Sequence, residues 1–168
     1  MMRDDRAAIY SDSDGVIADF HAGARKVLGR NFDNKTRAED GARVNAVLNF
    51  WDTLPPMPDL ELYWALIRKY DPHILTAVPS YPWEFDWQQV DRGKRLWYRK
   101  HLPQIPQRNI HIVERQDKRK YARQGSVRNI LIDDHKQNTD EFEAAGGIGI
   151  HHVSARVTIL KLKEIGYY

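Results

Sequence analysis

Short apolar runs recur along the chain, each closing on polar or acidic residues, and stretches with apolar residues at helical spacing lie between them. "AAIYSD" (7–12), "HILTAV" (73–78), "NIHIVE" (109–114), "RNILIDD" (128–134) and "GIGIHHV" (147–153) read as buried strands. "ADFHAGARKVLG" (18–29) reads as a helix stopped by Gly29, and "ARVNAVLNFWDTLPP" (42–56) as one ended by Pro55-Pro56. Further helices are expected over 59–70, 91–102, 136–146 and 155–166, the one over 91–102 basic and amphipathic. Strands alternating with helices predict a three-layer α/β sandwich, a parallel sheet covered on both faces.

In such sheets ligands bind outside the carboxyl ends of the strands. Asp12, Thr76 and Asp133 all fall at predicted strand ends, so the topology should gather them in one crevice. Residues i and i+2 of a strand point the same way. Asp12 and Asp14 would share a side along a continuing strand, but Asp14 is expected to lie already in the turn that Gly15 permits. "ILIDD" supplies a second acidic pair, Asp133 and Asp134. Carboxylates this close repel unless a positive charge lies between them. A hard cation with oxygen ligands, Mg²⁺ together with a substrate phosphate, resolves the conflict. An EF-hand does not, because aligning Gly15 puts Tyr10 and His21 at its first and last ligand positions. With phosphate bound, one carboxylate is suited to attack phosphorus and a second to serve as acid and base. Thr76 offers a hydroxyl, and Lys118 and Lys120 offer positive charge.

Composition narrows the classes. The chain has 168 residues, a length for one domain with a small insertion, and 42% of them are hydrophobic, enough for a core. Lys and Arg number 26 against 23 Asp and Glu, a net charge of +3. That balance suits an anionic ligand and falls short of a nucleic-acid tail, so no stable nucleic-acid complex is expected. The absence of cysteine removes disulfides, thiol nucleophiles and thiolate metal sites. No signal peptide and no membrane span are apparent, and the reading is a soluble cytoplasmic protein.

"DSDGV", Thr76 in "ILTAV", Lys118 in "RQDKRKYA" and "ILIDD" resemble, in order, the four motifs of the haloacid-dehalogenase (HAD) superfamily of phosphohydrolases. With "FWDTLPPMP" and "GKRLWYRKHLP", the chain looks similar to the 5′(3′)-deoxyribonucleotidases and their phage and bacterial relatives. The resemblance implies a Rossmann-like HAD core over 1–19 and 57–168 with a small helical cap over 20–56. It implies a Mg²⁺-dependent phosphoric monoester hydrolase acting on a (deoxy)nucleoside monophosphate. By the same likeness Asp12 is nucleophile and metal ligand, and Asp14 is acid/base and ligates through its carbonyl. Asp133 is the third metal contact, directly or through water. Thr76, Ala77 and Lys118 hold phosphate, and Phe20, Phe50 and Trp51 line a pocket for the base.

Plainer roles stand beside these. Asp134 binds metal through water or caps the next helix, and Asp19 caps or bridges. Phe50 and Trp51 also suit the core of the cap. "YPWEFDW" (81–87) lines the pocket or staples its loop to the sheet. His151 and His152, adjacent on a strand, point to opposite faces and do not form a joint metal site. Two other functions remain open: a HAD phosphatase for polynucleotide 3′-phosphate ends or sugar phosphates, and a non-catalytic nucleic-acid-binding module using 91–102 and 115–128. The sequence leaves homodimer formation through the cap open.

Overall fold

The computed structural model describes residues 6–33, 36–79 and 85–168. In chain order the elements are β1 (Ile9–Ser11), α1 (Phe20–Leu28), α2 (Arg37–Asn45), α3 (Leu60–Ile67), β2 (His73–Ala77), α4 (Trp87–His101), β3 (Ile110–Val113), β4 (Arg123–Gln124), β5 (Val127–Arg128), β6 (Ile130–Asp133), α5 (Lys136–Ala144), β7 (Ile148–His151) and α6 (Ala155–Glu164). Five strands form one sheet in the order β3-β2-β1-β6-β7, and all its pairings are parallel. The predicted α/β class and parallel sheet are thus present, with a separate small antiparallel hairpin, β4–β5.

Both faces of the sheet are covered, which explains why its strands are apolar at successive positions. Ile9, Ile74, Ile110, Ile130 and Ile132 face the larger cluster, which also holds Tyr63, Ile67, Trp97 and Leu162 from the helices. The residues between them, Tyr10, Leu75 and Leu131, face a smaller cluster closed by Ala122 and Phe142. Phe50, Trp51 and Leu54 join the larger cluster. α1 packs on α2, and the segment after α2 is tied to α4 by Gln89 Nε2 on the Asn45 and Val47 carbonyls and by Trp97 Nε1 on the Leu54 carbonyl. Among the described residues no helix is long and apolar enough to cross a membrane.

The helix expected over 42–56 is replaced by α2, which begins at Arg37 and ends at Asn45, followed by turns. Phe50 and Trp51 lie in those turns, and both reach the core. α4 begins at Trp87 rather than at Asp91, because the Asp86 side chain caps it by accepting from Gln88 N at 2.9 Å. α1 ends as expected, with Gly29 in the left-handed region at φ 73°. The basic run 115–128 contains a 3-10 segment, Arg115–Tyr121, that turns Lys118 inward.

Candidate active site

The carboxyl rim of the sheet collects the acidic residues. Asp12 follows β1 and is 5% exposed, and Asp133 ends β6 and is completely buried. The two strands pair directly, with Ser11 opposite Ile132. Asp14 lies in a turn in which the Ile17 and Ala18 amides donate to the Ser13 carbonyl, at 2.9 Å each. Gly15 makes that turn at φ +81°, and a Cβ there would stand 2.1 Å from Asp134 Oδ2. A glycine is therefore required where the first acidic loop meets the second. Asp12, Asp133 and Asp134 each offer a carboxylate oxygen, all within 4.8 Å of one another.

Two buried lysines enter this cluster from different elements. Lys118 Nζ lies 2.9 Å from Asp12 Oδ1 and 2.7 Å from Asp133 Oδ2. Burial pulls its pKa down, but Asp12 and Asp133 more than reverse the effect, so it is held above the ordinary lysine value. Lys120 instead pairs with Asp117 on the surface. Lys94 of α4 donates to Asp14 Oδ2 at 2.6 Å, Thr76 Oγ1 at 2.8 Å and the Ala77 carbonyl at 3.3 Å, and its Nζ stands 4.9 Å from the Trp51 ring. An ammonium only donates, so the Thr76 oxygen accepts and its own hydrogen is left for another partner.

Asp133 is saturated. His135 N donates to Oδ1 at 2.9 Å, Lys118 reaches Oδ2, and Asn138 Nδ2 lies 3.0 Å from both oxygens. Asp134 is the opposite case. Its Oδ1 is buried without a partner, as is Asp14 Oδ1. Burial, followed by the charges of Asp12, Asp133 and Asp14, pushes the Asp134 pKa up to about 8. Asp14 is also raised by burial, with Lys94 opposing. Four carboxylates thus face two ammonium groups, a deficit that one divalent cation removes. All-oxygen donors, three of them within one ion's reach and one an orphaned buried oxygen, fit Mg²⁺.

The remaining expected residues divide. Thr76 is buried at the end of β2 with Ala77 beside it. Phe20, Phe50, Trp51 and Phe85 form an aromatic cluster, with Phe50 and Trp51 only 3% and 1% exposed. Those two rings are core, while Phe20 and Phe85 keep partial exposure. Of "YPWEFDW", residues 81–84 lie outside the described residues, and Phe85 packs on Trp51. Asp19 caps α1 through Ala22 N at 2.8 Å. His151 contacts the Asp134 carbonyl while His152 contacts Thr158, so the two diverge. A cavity of about 440 Å³ lies elsewhere, lined by Ala8, Lys69, Tyr70 and His73 near the starts of β1 and β2.

Lys94 and Asn138 were missed as site residues. Each had a signal. Lys94 lies on the buried stripe of α4 with Val90, Trp97 and Tyr98, and Asn138 on that of α5 with Thr139 and Phe142. A polar side chain on an apolar stripe beside an acidic strand end has to find its partner inside.

No family model matches the chain. No curated protein matches it either. Among solved structures it is similar to a HAD hydrolase, family IA, variant 3, from Entamoeba histolytica, at 15% identity and a TM-score of 0.46, over 96% of this chain and 90% of that one. The functional reading rests on the side chains of the rim.

Proposed function

We propose that the protein is a Mg²⁺-dependent phosphate monoester hydrolase of the HAD type, working through a phospho-aspartate at Asp12. The observation that carries this reading is the meeting of Asp12, Asp14, Asp133 and Asp134 with Lys118 and the Lys94–Thr76 pair at one rim of the sheet. Asp12 and Asp134, with the Asp14 carbonyl, would hold the cation, and Asp133, its lone pairs engaged by four contacts, would reach it through water. A cation held there would offset the excess acid and supply Lewis-acid polarisation of a phosphoryl oxygen.

Lys118 occupies Asp12 Oδ1, which leaves Oδ2 for attack on phosphorus. The bond from Asp12 to phosphorus forms as the bond to the leaving oxygen breaks, and Asp14 gives that oxygen its proton. Asp14 then takes a proton from water, whose oxygen attacks the aspartyl phosphate, releasing inorganic phosphate and freeing Asp12. Lys118 and the Thr76 hydroxyl hold the phosphoryl oxygens. Residues 20–56 act as a small cap. The preferred substrate is a (deoxy)nucleoside monophosphate, as for a 5′(3′)-deoxyribonucleotidase, with Phe20, backed by the buried aromatic cluster, meeting the base.

The test is phosphate release from a panel of deoxynucleoside monophosphates, sugar phosphates and oligonucleotide 3′-phosphates, with and without Mg²⁺. Asp12→Asn should lower kcat/KM by about 10³-fold or more on the best substrate. Equal release by wild type and Asp12→Asn would end the nucleophile assignment. A rate ranking led by sugar phosphates would move the substrate class.

A further inference from the structure

Asp133 reaches the rim with its orientation already decided, and the deciding contacts come from outside the rim. Its Oδ1 accepts from His135 N, its Oδ2 from Lys118, and both oxygens lie 3.0 Å from Asn138 Nδ2. A side-chain amide has two faces, and turning it over would present an oxygen to Asp133 instead of an NH₂. Two acceptors would then oppose each other in a buried place, and Asp133 would lose one of its three donors. Arg115 removes that choice. Its Nη1 donates to Asn138 Oδ1 at 3.1 Å and to Glu141 Oε2 at 3.0 Å. A guanidinium only donates, so the amide oxygen faces Arg115 and the NH₂ faces Asp133.

We infer that Asn138, its amide set by Arg115, is a positioning residue for the line Asp133–Lys118–Asp12. Asn138 is 6% exposed and belongs to α5, whereas Arg115 opens the 3-10 segment that carries Lys118. The same contact therefore joins the two elements that bring Asp133 and Lys118 together. Arg115 meets α5 at Asn138 and at Glu141, and of these two Asn138 is the one that touches Asp133.

The inference rests on the reading of the rim as a phosphatase site, and its test separates the two. Wild type, Arg115→Met, Asn138→Ala and the double variant are compared in three ways: kcat/KM for phosphate release, Mn²⁺ dissociation constant by titration calorimetry, and thermal midpoint. Partners that orient the groups around a metal are worth about 10–100-fold in affinity or activity. Each single variant should therefore lower kcat/KM and weaken Mn²⁺ binding by about tenfold. The double variant should be no worse than Asn138→Ala, because Arg115 has nothing left to orient. Arg115→Lys, which keeps a donor, should recover most of the loss.

Multiplying effects in the double variant, or a lower thermal midpoint with unchanged kcat/KM and Mn²⁺ affinity, would overturn the inference. If Asn138→Ala does not fold, Arg115→Met and Arg115→Lys still decide it, since the Arg115 side chain is 37% exposed. If wild type releases phosphate from no monoester, the functional reading fails while the Mn²⁺ titrations still judge Asn138.

Discussion

Three oxygens surround the buried Lys94 ammonium, those of Asp14, Thr76 and Ala77. Removing the ammonium strands these groups. Asp14 suffers most, since burial already raises its pKa and Lys94 is the chief force holding it down. Lys94→Met should therefore raise the Asp14 pKa further and move the alkaline limb of the kcat/KM profile to higher pH. Stability should fall by about 1–3 kcal/mol, the cost of unsatisfied buried polar groups, and toward the low end because Asp14 is 25% exposed and water can reach it. A profile that does not move would show that Lys94 and Asp14 are uncoupled during turnover. The pair also orients Thr76, whose oxygen accepts from Lys94.

At the scale of elements, the approach of α4 to the turn after α2 sets where Lys94 arrives. Gly93 permits it: a Cβ there would lie 2.6 Å from Trp51 Cβ. Gly93→Ala should push the helix away at a cost of about 1–3 kcal/mol in urea unfolding, with a fall in activity as Lys94 withdraws from Asp14. Unchanged activity would mean that the contact is looser than 2.6 Å suggests. Elements that answer to local rules were legible in the sequence. β1 and β6 follow from apolar runs that stop at aspartate, and α1 from Asp19 and the left-handed Gly29. The turn over 46–54 was not legible, because apolar spacing cannot distinguish a longer helix from a chain that leaves the helix to bury Phe50 and Trp51 together. The start of α4 was written in Asp86 and Gln89, a capping pattern obscured by the aromatic residues around it. Likewise the acids of the rim could be read from strand ends, while Lys94 and Asn138 emerge only once helix faces are known.

For the molecule as a whole, the rim is a cluster of like charge held together by the parallel sheet. β1 and β6 are neighbours in space though far apart in sequence, so Asp12, Asp133 and Asp134 meet only when the chain folds. Burial and, after it, the neighbouring carboxylates hold the Asp134 pKa up at about 8. An acid whose folded value stands above its unfolded value of about 4 keeps a proton that the unfolded chain has lost. Between about pH 4 and pH 8 the folded state binds more protons, so this group lowers stability as pH rises, and its effect levels off above about 8. In the absence of divalent cations Asp134→Asn should therefore melt above wild type, by a margin wider at pH 8.5 than at pH 5. Magnesium should reverse the order. It must displace the proton at pH 5 but meets a free carboxylate at pH 8.5, so its stabilisation of wild type should grow with pH. Saturation at a hundred times the dissociation constant contributes about 2.7 kcal/mol, or about 5–10 °C in a chain of this size. Asp134→Asn should forfeit most of that gain. A magnesium response of equal size at both pH values, or one that survives in Asp134→Asn, would place the cation somewhere other than between the first acidic loop and the end of β6.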